Sequence, residues 1–239
     1  MNVLITGGSS GLGAAITRKI AEAGHKIYFT FNSSVETAEL LSQQFPNCVS
    51  IRCDFKSERD INNLKDQIAT LDIDVLINNA YTGEVIKSHF HKIPPGDFLT
   101  GFTENVMPTV IITQAAISHF RKKKFGKIIT ILTSGLVNIP PIGSAVYNAN
   151  KAYLQQLTKI WAVENARHNI VSNSVSPAFM RTTLTGDTDE RVIEQIVENH
   201  PLKTLLAPEE VADSVLFLLN ASQQINGLDI VLNAANSIR

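Results

Sequence analysis

Short runs of β-branched and apolar residues alternate with longer amphipathic segments along this chain, and this alternation limits the fold more than any other feature of the sequence. Such runs, bounded by turn residues, predict buried strands, while apolar residues spaced three and four apart predict helices. The predicted strands are residues 3–6, 26–31, 49–53, 75–77, 127–132, 170–175 and 228–231, and the predicted helices are near residues 12–23, 34–45, 58–70, 97–124, 145–167, 189–198 and 208–220.

This order of elements predicts an α/β fold, a Rossmann-type doubly wound sheet of about seven parallel strands with helices on both faces. No repeat, linker or low-complexity segment interrupts the pattern, so we expect residues 1–239 to form a single domain. In such sheets the ligand lies at the carboxyl ends of the strands. Candidate functional residues are therefore expected just after the predicted strands.

Charge and targeting signals narrow the classes of partner. The 21 basic and 22 acidic side chains give a formal net charge of −1, so we expect no nucleic-acid partner and no anionic membrane surface. The amino-terminal apolar run is too short and uncharged for a secretory signal, and no later stretch is long enough to cross a bilayer. We therefore predict a cytoplasmic protein.

The cysteines and histidines do not have metal-ligand spacing. Cys48 and Cys53 are the only cysteines, and their odd separation on one strand would point them to opposite faces of the sheet. This placement disfavours a disulfide or a zinc site. His89 and His91 are the one close histidine pair, and a polar loop is the commoner explanation for such a pair. We predict no metal site.

A glycine-rich turn connects the first predicted strand to the first predicted helix. It reads Thr-Gly-Gly-Ser-Ser-Gly-Leu-Gly over residues 6–13, with the spacing Gly-x-x-x-Gly-x-Gly. Glycine lets the backbone turn tightly and approach a pyrophosphate, whose charge a helix N-terminus favours. A turn that binds no ligand is the alternative interpretation. The residues predicted to bind a dinucleotide here are Gly7, Ser9, Ser10, Gly11, Leu12 and Gly13.

With this turn the chain resembles the short-chain dehydrogenase/reductase family, which has Thr-Gly-x-x-x-Gly-x-Gly at the same place. Residues 78–80, Asn-Asn-Ala, match the family's Asn-Asn-Ala-Gly motif, except that the fourth residue is Tyr81. Pro177 and Thr182 match a later Pro-Gly motif, whose glycine is Ala178 here. The resemblance implies further cofactor contacts from Asp54, Phe55, Asn79, Ala80, Pro177 and Thr182.

The spacing of three further residues is similar to the family's Ser, Tyr-x-x-x-Lys arrangement, because Ser134, Tyr147 and Lys151 stand thirteen and then four residues apart. A carbonyl that accepts hydride develops negative charge on oxygen, so it needs a proton donor and a hydrogen-bond donor there. We assign these roles to Tyr147 and Ser134. Lys151 follows Tyr147 by one helical turn, and we expect its charge to lower the tyrosine pKa from about 10 toward neutrality. The alternative is an ordinary amphipathic helix.

Asn105 matches the fourth catalytic member of the family. Pro108 follows it within a helical pattern, where a proline should bend the helix and free the carbonyl of Glu104. The resemblance implies that Asn105 helps to hold a water that relays protons to Lys151. It also implies that Tyr147 and Lys151 contact the cofactor, with Lys151 at the nicotinamide ribose.

The end of the second predicted strand favours NADP(H) as cofactor, with NAD(H) as the alternative. The position where an acid would bind the ribose 2′-hydroxyl is Phe31, so no carboxylate stands there to repel a 2′-phosphate. Asn32, Ser33 and Ser34 can donate hydrogen bonds to that phosphate, although this stretch has no arginine.

The chain's length and its strand at 125–131 resemble the branch of the family that reduces 3-oxoacyl thioesters in fatty acid or polyketide biosynthesis. We therefore expect an oxidoreductase that reduces such a ketone to a secondary alcohol. An alcohol, sugar or steroid dehydrogenase is the alternative, because one fold supports many substrates. A dinucleotide-sensing protein without catalysis is a further alternative.

Three segments suggest how substrate and partners are handled. By resemblance, residues 184–200 form a lid over the substrate. Residues 121–124, Arg-Lys-Lys-Lys, predict either a contact with an acyl carrier protein or a solvated helix end. The apolar surplus of the helices at 97–124 and 145–167 suggests subunit packing, and the family commonly assembles into homodimers or homotetramers.

Overall fold

The computed structural model describes residues 1–83 and 85–236, and these contain one sheet of seven parallel strands in the order β3-β2-β1-β4-β5-β6-β7. The strands are β1 (Asn2–Ile5), β2 (Lys26–Phe31), β3 (Cys48–Arg52), β4 (Val75–Asn78), β5 (Gly126–Ile131), β6 (Ile170–Pro177) and β7 (Asp229–Leu232). The predicted α/β fold and all seven predicted strands are confirmed, with strand ends shifted by a residue or two.

Eight α-helices accompany the sheet in the described part of the chain. They are α1 (Gly11–Glu22), α2 (Val35–Gln44), α3 (Glu58–Leu71), α4 (Pro95–Asn105), α5 (Met107–Lys123), α6 (Ala145–Asn165), α7 (Glu190–Asn199) and α8 (Pro208–Asn220). None of the helices within these ranges combines the length and the apolar character needed to cross a membrane.

One predicted helix, 97–124, is wrong as a single element, because the chain breaks at Val106 between α4 and α5. Pro108 explains the break, since it lacks the N–H that would bond to the carbonyl of Glu104. That carbonyl instead accepts a hydrogen bond from Thr82 Oγ1 at 3.0 Å. The predicted effect of Pro108 on the Glu104 carbonyl is therefore confirmed.

Two apolar cores lie on opposite faces of the sheet. Val3 and Ile5 pack in a core with α1, α2 and α8, whereas Leu4, between them, packs in a second core with α3, α5 and α6. Strands buried on both faces are typical of parallel sheets covered by helices. Cys48 lies in the first core and Cys53 in the second, and both are free thiols, which confirms that they point to opposite faces.

The strand order places three loops side by side at one edge of the sheet. β1 lies between β2 and β4, so the connections after β1 and β4 diverge and leave a crevice at their carboxyl ends. Ile5 pairs with Ile77, and Ile77 pairs with Ile129, so the ends of β1, β4 and β5 are nearly level. The residues that follow these three strands therefore meet at one site.

Candidate active site

A cleft of about 1180 Å³ opens at the carboxyl ends of the strands. It exceeds the usual range of pockets for one small ligand, roughly 300 to 1,000 Å³, so it has room for a dinucleotide and a substrate together. The predicted site residues that line it are Gly7, Ser9, Ser10, Gly11, Leu12, Gly13, Asn32, Ser33, Phe55, Asn79, Ala80, Ser134, Tyr147, Lys151, Pro177 and Thr182.

Two predicted site residues lie outside the cleft lining in the part of the chain that the structure describes. The carboxylate of Asp54 accepts a hydrogen bond from the backbone N–H of Lys56 at 2.9 Å, within the turn that follows β3. Asn105 is buried at the end of α4, where its Oδ1 accepts from the N–H of Thr82 at 2.6 Å and its Nδ2 donates to the carbonyl of Gly101 at 3.1 Å. Thr82 lines the cleft, so the hydrogen bond from its N–H connects Asn105 to the cleft wall.

The turn between β1 and α1 is shaped by its glycines. Gly7 has a φ of +66°, and its N–H donates to Thr30 Oγ1 at 2.8 Å. A Cβ on Gly13 would lie 1.9 Å from the carbonyl oxygen of Gly7, so only glycine lets α1 approach the turn so closely. Ser10 precedes the helix without capping it, and the first N–H groups of a helix have no partner within it. This arrangement fits a bound phosphate group.

Asn79 braces the glycine-rich turn from the neighbouring strand. Its Nδ2 donates to the carbonyls of Thr6 and Gly7 at 3.0 and 2.9 Å. Thr6 Oγ1 accepts in return from the N–H groups of Asn79 and Ala80 at 3.0 and 3.1 Å. Sequence reasoning missed Thr6 and Thr30 as parts of this frame, because threonine is common in any strand.

The catalytic candidates come from β5 and α6. Ser134 lies three residues after the end of β5 and begins a 3₁₀ turn, Ser134–Leu136, which Thr133 caps by accepting from the N–H of Gly135 at 3.2 Å. Tyr147 and Lys151 lie one turn apart near the start of α6. Lys151 is 5% exposed, and its Nζ donates to the carbonyl of Ile131 at 2.7 Å. Ser134, Tyr147 and Lys151 all line the cleft.

Burial dominates the electrostatics of the tyrosine–lysine pair. Burial lowers the pKa of Lys151 to about 8. Burial also raises the pKa of Tyr147 to about 12, and a hydrogen bond with the Thr133 side chain offsets only part of this rise. The expected fall of the Tyr147 pKa toward neutrality is wrong, because burial is the largest influence on this group and raises its pKa. Tyr147 is therefore protonated at neutral pH.

Few charged side chains line the cleft among the described residues. They are Lys87 and Lys151 on one side, and Asp187 and Asp189 in the segment before α7. The turn between β2 and α2 contributes no carboxylate to the lining. Within residues 1–83 and 85–236, no three His, Cys, Asp or Glu side chains are grouped so that they could hold a metal ion.

Several exposed apolar side chains stand at the rim of the cleft. Ile139 is 69% exposed and Ile142 is 86% exposed, on the loop between β5 and α6. Apolar residues of the opposite rim come from α7 and the segment before it. The further apolar side chains of the rim are Val85, Leu184, Val192 and Ile196. Exposed isoleucines around a deep cleft fit a substrate with an apolar body.

The segment predicted as a lid, residues 184–200, contains α7 and contributes to the cleft wall. Arg181 and Glu190 form a two-point ion pair at 2.8 and 2.6 Å across its base. His200, at the end of α7, is buried, lines the cleft and accepts at Nδ1 from the N–H of Leu202 at 3.2 Å. Sequence reasoning missed His200, because a single histidine has no spacing pattern.

The basic run 121–124 lies before the amino end of β5, at the sheet edge opposite the cleft. Six strand residues at about 3.3 Å each separate the two edges by about 20 Å. Arg121 Nε donates to Asn165 Oδ1 at 2.8 Å, and Lys123 pairs with Asp74 at 2.7 Å. Two of the four basic side chains therefore make contacts within the protein. This favours a solvated helix end over a contact with an acyl carrier protein.

Comparison with known proteins identifies the family of the chain. Residues 7–234 match the family model described as Enoyl-(Acyl carrier protein) reductase. The chain belongs to the short-chain dehydrogenase/reductase family. The predicted resemblance and the prediction of an oxidoreductase are thereby confirmed.

Three relatives illustrate the range of this similarity. The chain is 32% identical over 223 residues to the 3-oxoacyl-[acyl-carrier-protein] reductase of Aquifex aeolicus, covering 90% of this chain and 88% of the relative. It is 31% identical over 229 residues to the acetoacetyl-CoA reductase of an Acinetobacter strain, covering 91% and 89%. A crystal structure of the 3-ketoacyl-(acyl-carrier-protein) reductase of Brucella melitensis, complexed with NADH, superposes with a TM-score of 0.88 at 23% identity and covers 99% and 98%.

Proposed function

We propose that this short-chain dehydrogenase/reductase is an NADP(H)-dependent enzyme that reduces the ketone of a 3-oxoacyl thioester to a secondary alcohol. The observation that carries the proposal is that Ser134, Tyr147 and Lys151 line the same cleft as the glycine-rich turn. The curated relatives named as 3-oxoacyl-[acyl-carrier-protein] and acetoacetyl-CoA reductases support the substrate class.

In the proposed reaction, Tyr147 donates a proton to the oxygen of the ketone while Ser134 donates a hydrogen bond to the same oxygen. A bound nicotinamide dinucleotide supplies the hydride. The raised pKa of Tyr147 keeps its proton in place until charge builds on the substrate oxygen. Lys151 then faces the developing tyrosinate with its ammonium group, which offsets the negative charge in a dry site.

The cofactor preference rests on the turn between β2 and α2. Asn32 and Ser33 line the cleft and are exposed there, and Ser34 precedes α2 without capping it. These groups can donate hydrogen bonds to a 2′-phosphate, and no carboxylate of the described lining stands beside them to repel it. Gly13 and the uncapped start of α1 hold the pyrophosphate.

The apolar rim supports a thioester substrate over a sugar. Ile139 and Ile142 can pack on an acyl chain but offer no hydrogen bond to a sugar hydroxyl, although polar side chains such as Asp187 and Asp189 also line the cleft. The acyl chain packs on these isoleucines, while its 3-oxo group reaches Tyr147. The segment 184–200 serves as the lid, and α7 presents Val192 and Ile196 to the substrate.

Exposed apolar side chains on the helices of one side support a homodimer or homotetramer. On α6, Val163 is 81% exposed and Tyr153 is 48% exposed, and on α4 Leu99 is 69% exposed. Packing of a second subunit on these helices would cover these apolar side chains. Light scattering of the purified protein tests this, and a mass of one chain would contradict it.

A substrate panel tests the proposed function. The purified protein is mixed with NADPH and acetoacetyl-CoA, with acetoacetyl-acyl carrier protein, and with simple ketones, and the loss of NADPH absorbance is followed. We expect turnover of at least one thioester, and the two thioester arms show whether the carrier protein contributes. Turnover of simple ketones only, or of free alcohols, sugars or steroids in a parallel assay that supplies NADP+, without turnover of any thioester would refute the substrate class. Cofactor binding without any turnover would indicate a non-catalytic dinucleotide-binding protein.

A further inference from the structure

Tyr81 stands where the family motif has glycine, and its side chain reaches the catalytic pair. Its ring packs edge-to-face on the ring of Tyr147, with centroids 5.1 Å apart and an interplanar angle of 65°. Lys151 Nζ lies 5.8 Å from the centroid of the Tyr81 ring and 5.8 Å from that of the Tyr147 ring. The ammonium group is therefore flanked by two aromatic rings, one of them from a residue outside the catalytic set.

The backbone on both sides of Tyr81 is fixed by hydrogen bonds. Ala80 donates its N–H to Thr6 Oγ1 at 3.1 Å, and Thr82 donates its N–H to Asn105 Oδ1 at 2.6 Å. The first bond joins the segment to β1, and the second joins it to the end of α4. Tyr81 is thus held between two rigid elements, so its ring has a defined place against Tyr147.

Water exclusion is the main electrostatic feature of this cluster. Lys151 is 5% exposed, and burial is the cause of its lowered pKa. Burial also raises the pKa of Tyr147 and, as the largest cause, that of Tyr81. Tyr147 and Glu104 add to the rise for Tyr81, and Glu104 is itself paired with Lys56 at 3.2 Å. A glycine at position 81 would leave the space of the ring to water.

We propose that Tyr81 is a positioning residue, whose ring orients Tyr147 and encloses the Lys151 ammonium so that the catalytic pair works in a drier site than glycine would give. This role rests on the proposed function for its effect on ketone reduction. Its effect on the ionisation of Tyr147 does not depend on which substrate the enzyme uses. The aromatic ring, and not the Tyr81 hydroxyl, carries the role.

Two variants separate the ring from the hydroxyl. Tyr81→Phe keeps the ring, while Tyr81→Gly restores the residue of the family motif and admits water. In ketone reduction two ionisations lower the rate as pH rises: Lys151 loses its ammonium charge near its pKa of about 8, and Tyr147 loses the proton it donates at higher pH. With glycine, water stabilises both charged forms, so we expect the fall caused by Lys151 to move to higher pH and the ionisation of Tyr147 to move at least about one pH unit lower. Tyr81→Phe should keep the profile of the wild type. Tyr153→Phe, which removes the hydroxyl of a half-exposed tyrosine of α6, is the matched control.

A titration without turnover keeps the test independent of the substrate. The ultraviolet absorbance of tyrosinate is followed against pH in each Tyr81 variant, with and without Tyr147→Phe, and the difference reports Tyr147. We expect Tyr147 to ionise at lower pH in Tyr81→Gly than in Tyr81→Phe. If Tyr147 ionises at the same pH in Tyr81→Gly and Tyr81→Phe, the proposal is overturned. If no ketone is reduced, the proposed function fails while this titration still decides the role of Tyr81.

Discussion

Lys151 donates a hydrogen bond from Nζ to the backbone carbonyl of Ile131 at 2.7 Å, so the buried cation of the cleft is tied to the end of β5 by a neutral partner. A neutral partner compensates a charge less than a carboxylate does, and burial accordingly lowers the pKa of Lys151 to about 8. The contact holds the Lys151 ammonium next to Tyr147, but burial makes the charged form of Lys151 less stable than it is in water.

Replacing Lys151 should remove a pH dependence from the stability of the protein. Between a folded pKa of about 8 and an unfolded pKa of about 10.4, the unfolded chain binds more protons, so stability rises with pH. We expect the free energy of unfolding of the wild type, relative to Lys151→Met, to increase by about 2 kcal/mol from about pH 7 to about pH 9.5. Urea unfolding of both proteins at both pH values measures this.

The comparison with Lys151→Met removes the pH-dependent contributions of other buried groups to the free energy of unfolding. Burial raises the pKa values of Cys48 and Cys53 to about 11 and about 12. The free energy of unfolding therefore decreases as pH rises above the pKa values of these thiols in the unfolded chain. Both proteins contain them, so only the difference between the proteins reports Lys151. A difference that stays constant with pH would contradict the assignment.

Gly13→Ala should disrupt the glycine-rich turn. Its new Cβ would lie 1.9 Å from the carbonyl oxygen of Gly7, which is backbone and cannot move aside cheaply. We expect the free energy of unfolding to fall by about 1 to 3 kcal/mol and dinucleotide binding to be lost. Gly96→Ala is the matched control, since a Cβ there meets nothing within 4 Å and should be neutral. Wild-type binding by Gly13→Ala would refute the role of the turn.

Asn105→Ala should lower the rate of catalysis, because Asn105 holds Thr82 of the cleft wall in place. It removes the acceptor of the Thr82 N–H and leaves that donor without its partner, a loss of about 1 to 3 kcal/mol where the donor is shielded from water. We expect lower stability and a lower kcat, with the affinity for dinucleotide kept. Denaturant unfolding and steady-state kinetics give both readouts. An unchanged kcat in a destabilised variant would show that Asn105 is only structural.

Asn32→Asp should shift the cofactor preference toward NADH. The change is nearly isosteric and places a carboxylate at the exposed end of β2, where the 2′-phosphate of NADP(H) is proposed to lie. Repulsion between the two anions should weaken NADPH binding by at least about tenfold and leave NADH binding nearly unchanged. Fluorescence titration with each dinucleotide measures this. Equal effects on both would place the phosphate elsewhere.

Strand positions and the glycine-rich turn were predictable from the sequence because their signals are local. Val3, Leu4 and Ile5 form a continuous apolar run, as a strand buried on both faces requires, and Gly7 to Gly13 follow it directly. The break at Val106 was only half predictable, since Pro108 indicates a bend but not where the helices part. Its outcome depends on Thr82, which is distant in sequence.

Contacts between distant segments were beyond the reach of the sequence. Tyr81 departs from the family motif, but its packing on Tyr147 and Lys151 depends on the spacing of β4 and α6. The pKa of Tyr147 was predicted with the wrong sign for the same reason, because an i, i+4 spacing gives the distance to Lys151 but not the burial of both groups. Burial is a property of the whole fold.

The most direct test of Tyr147 as the proton donor is the rate of ketone reduction by Tyr147→Phe in single turnovers with NADPH. The variant keeps the ring that packs on Tyr81 and loses only the proton donor. We expect a rate at least about a hundredfold below that of the wild type, with largely unchanged affinity for NADPH. A rate equal to that of the wild type would contradict the assignment of Tyr147 as the proton donor.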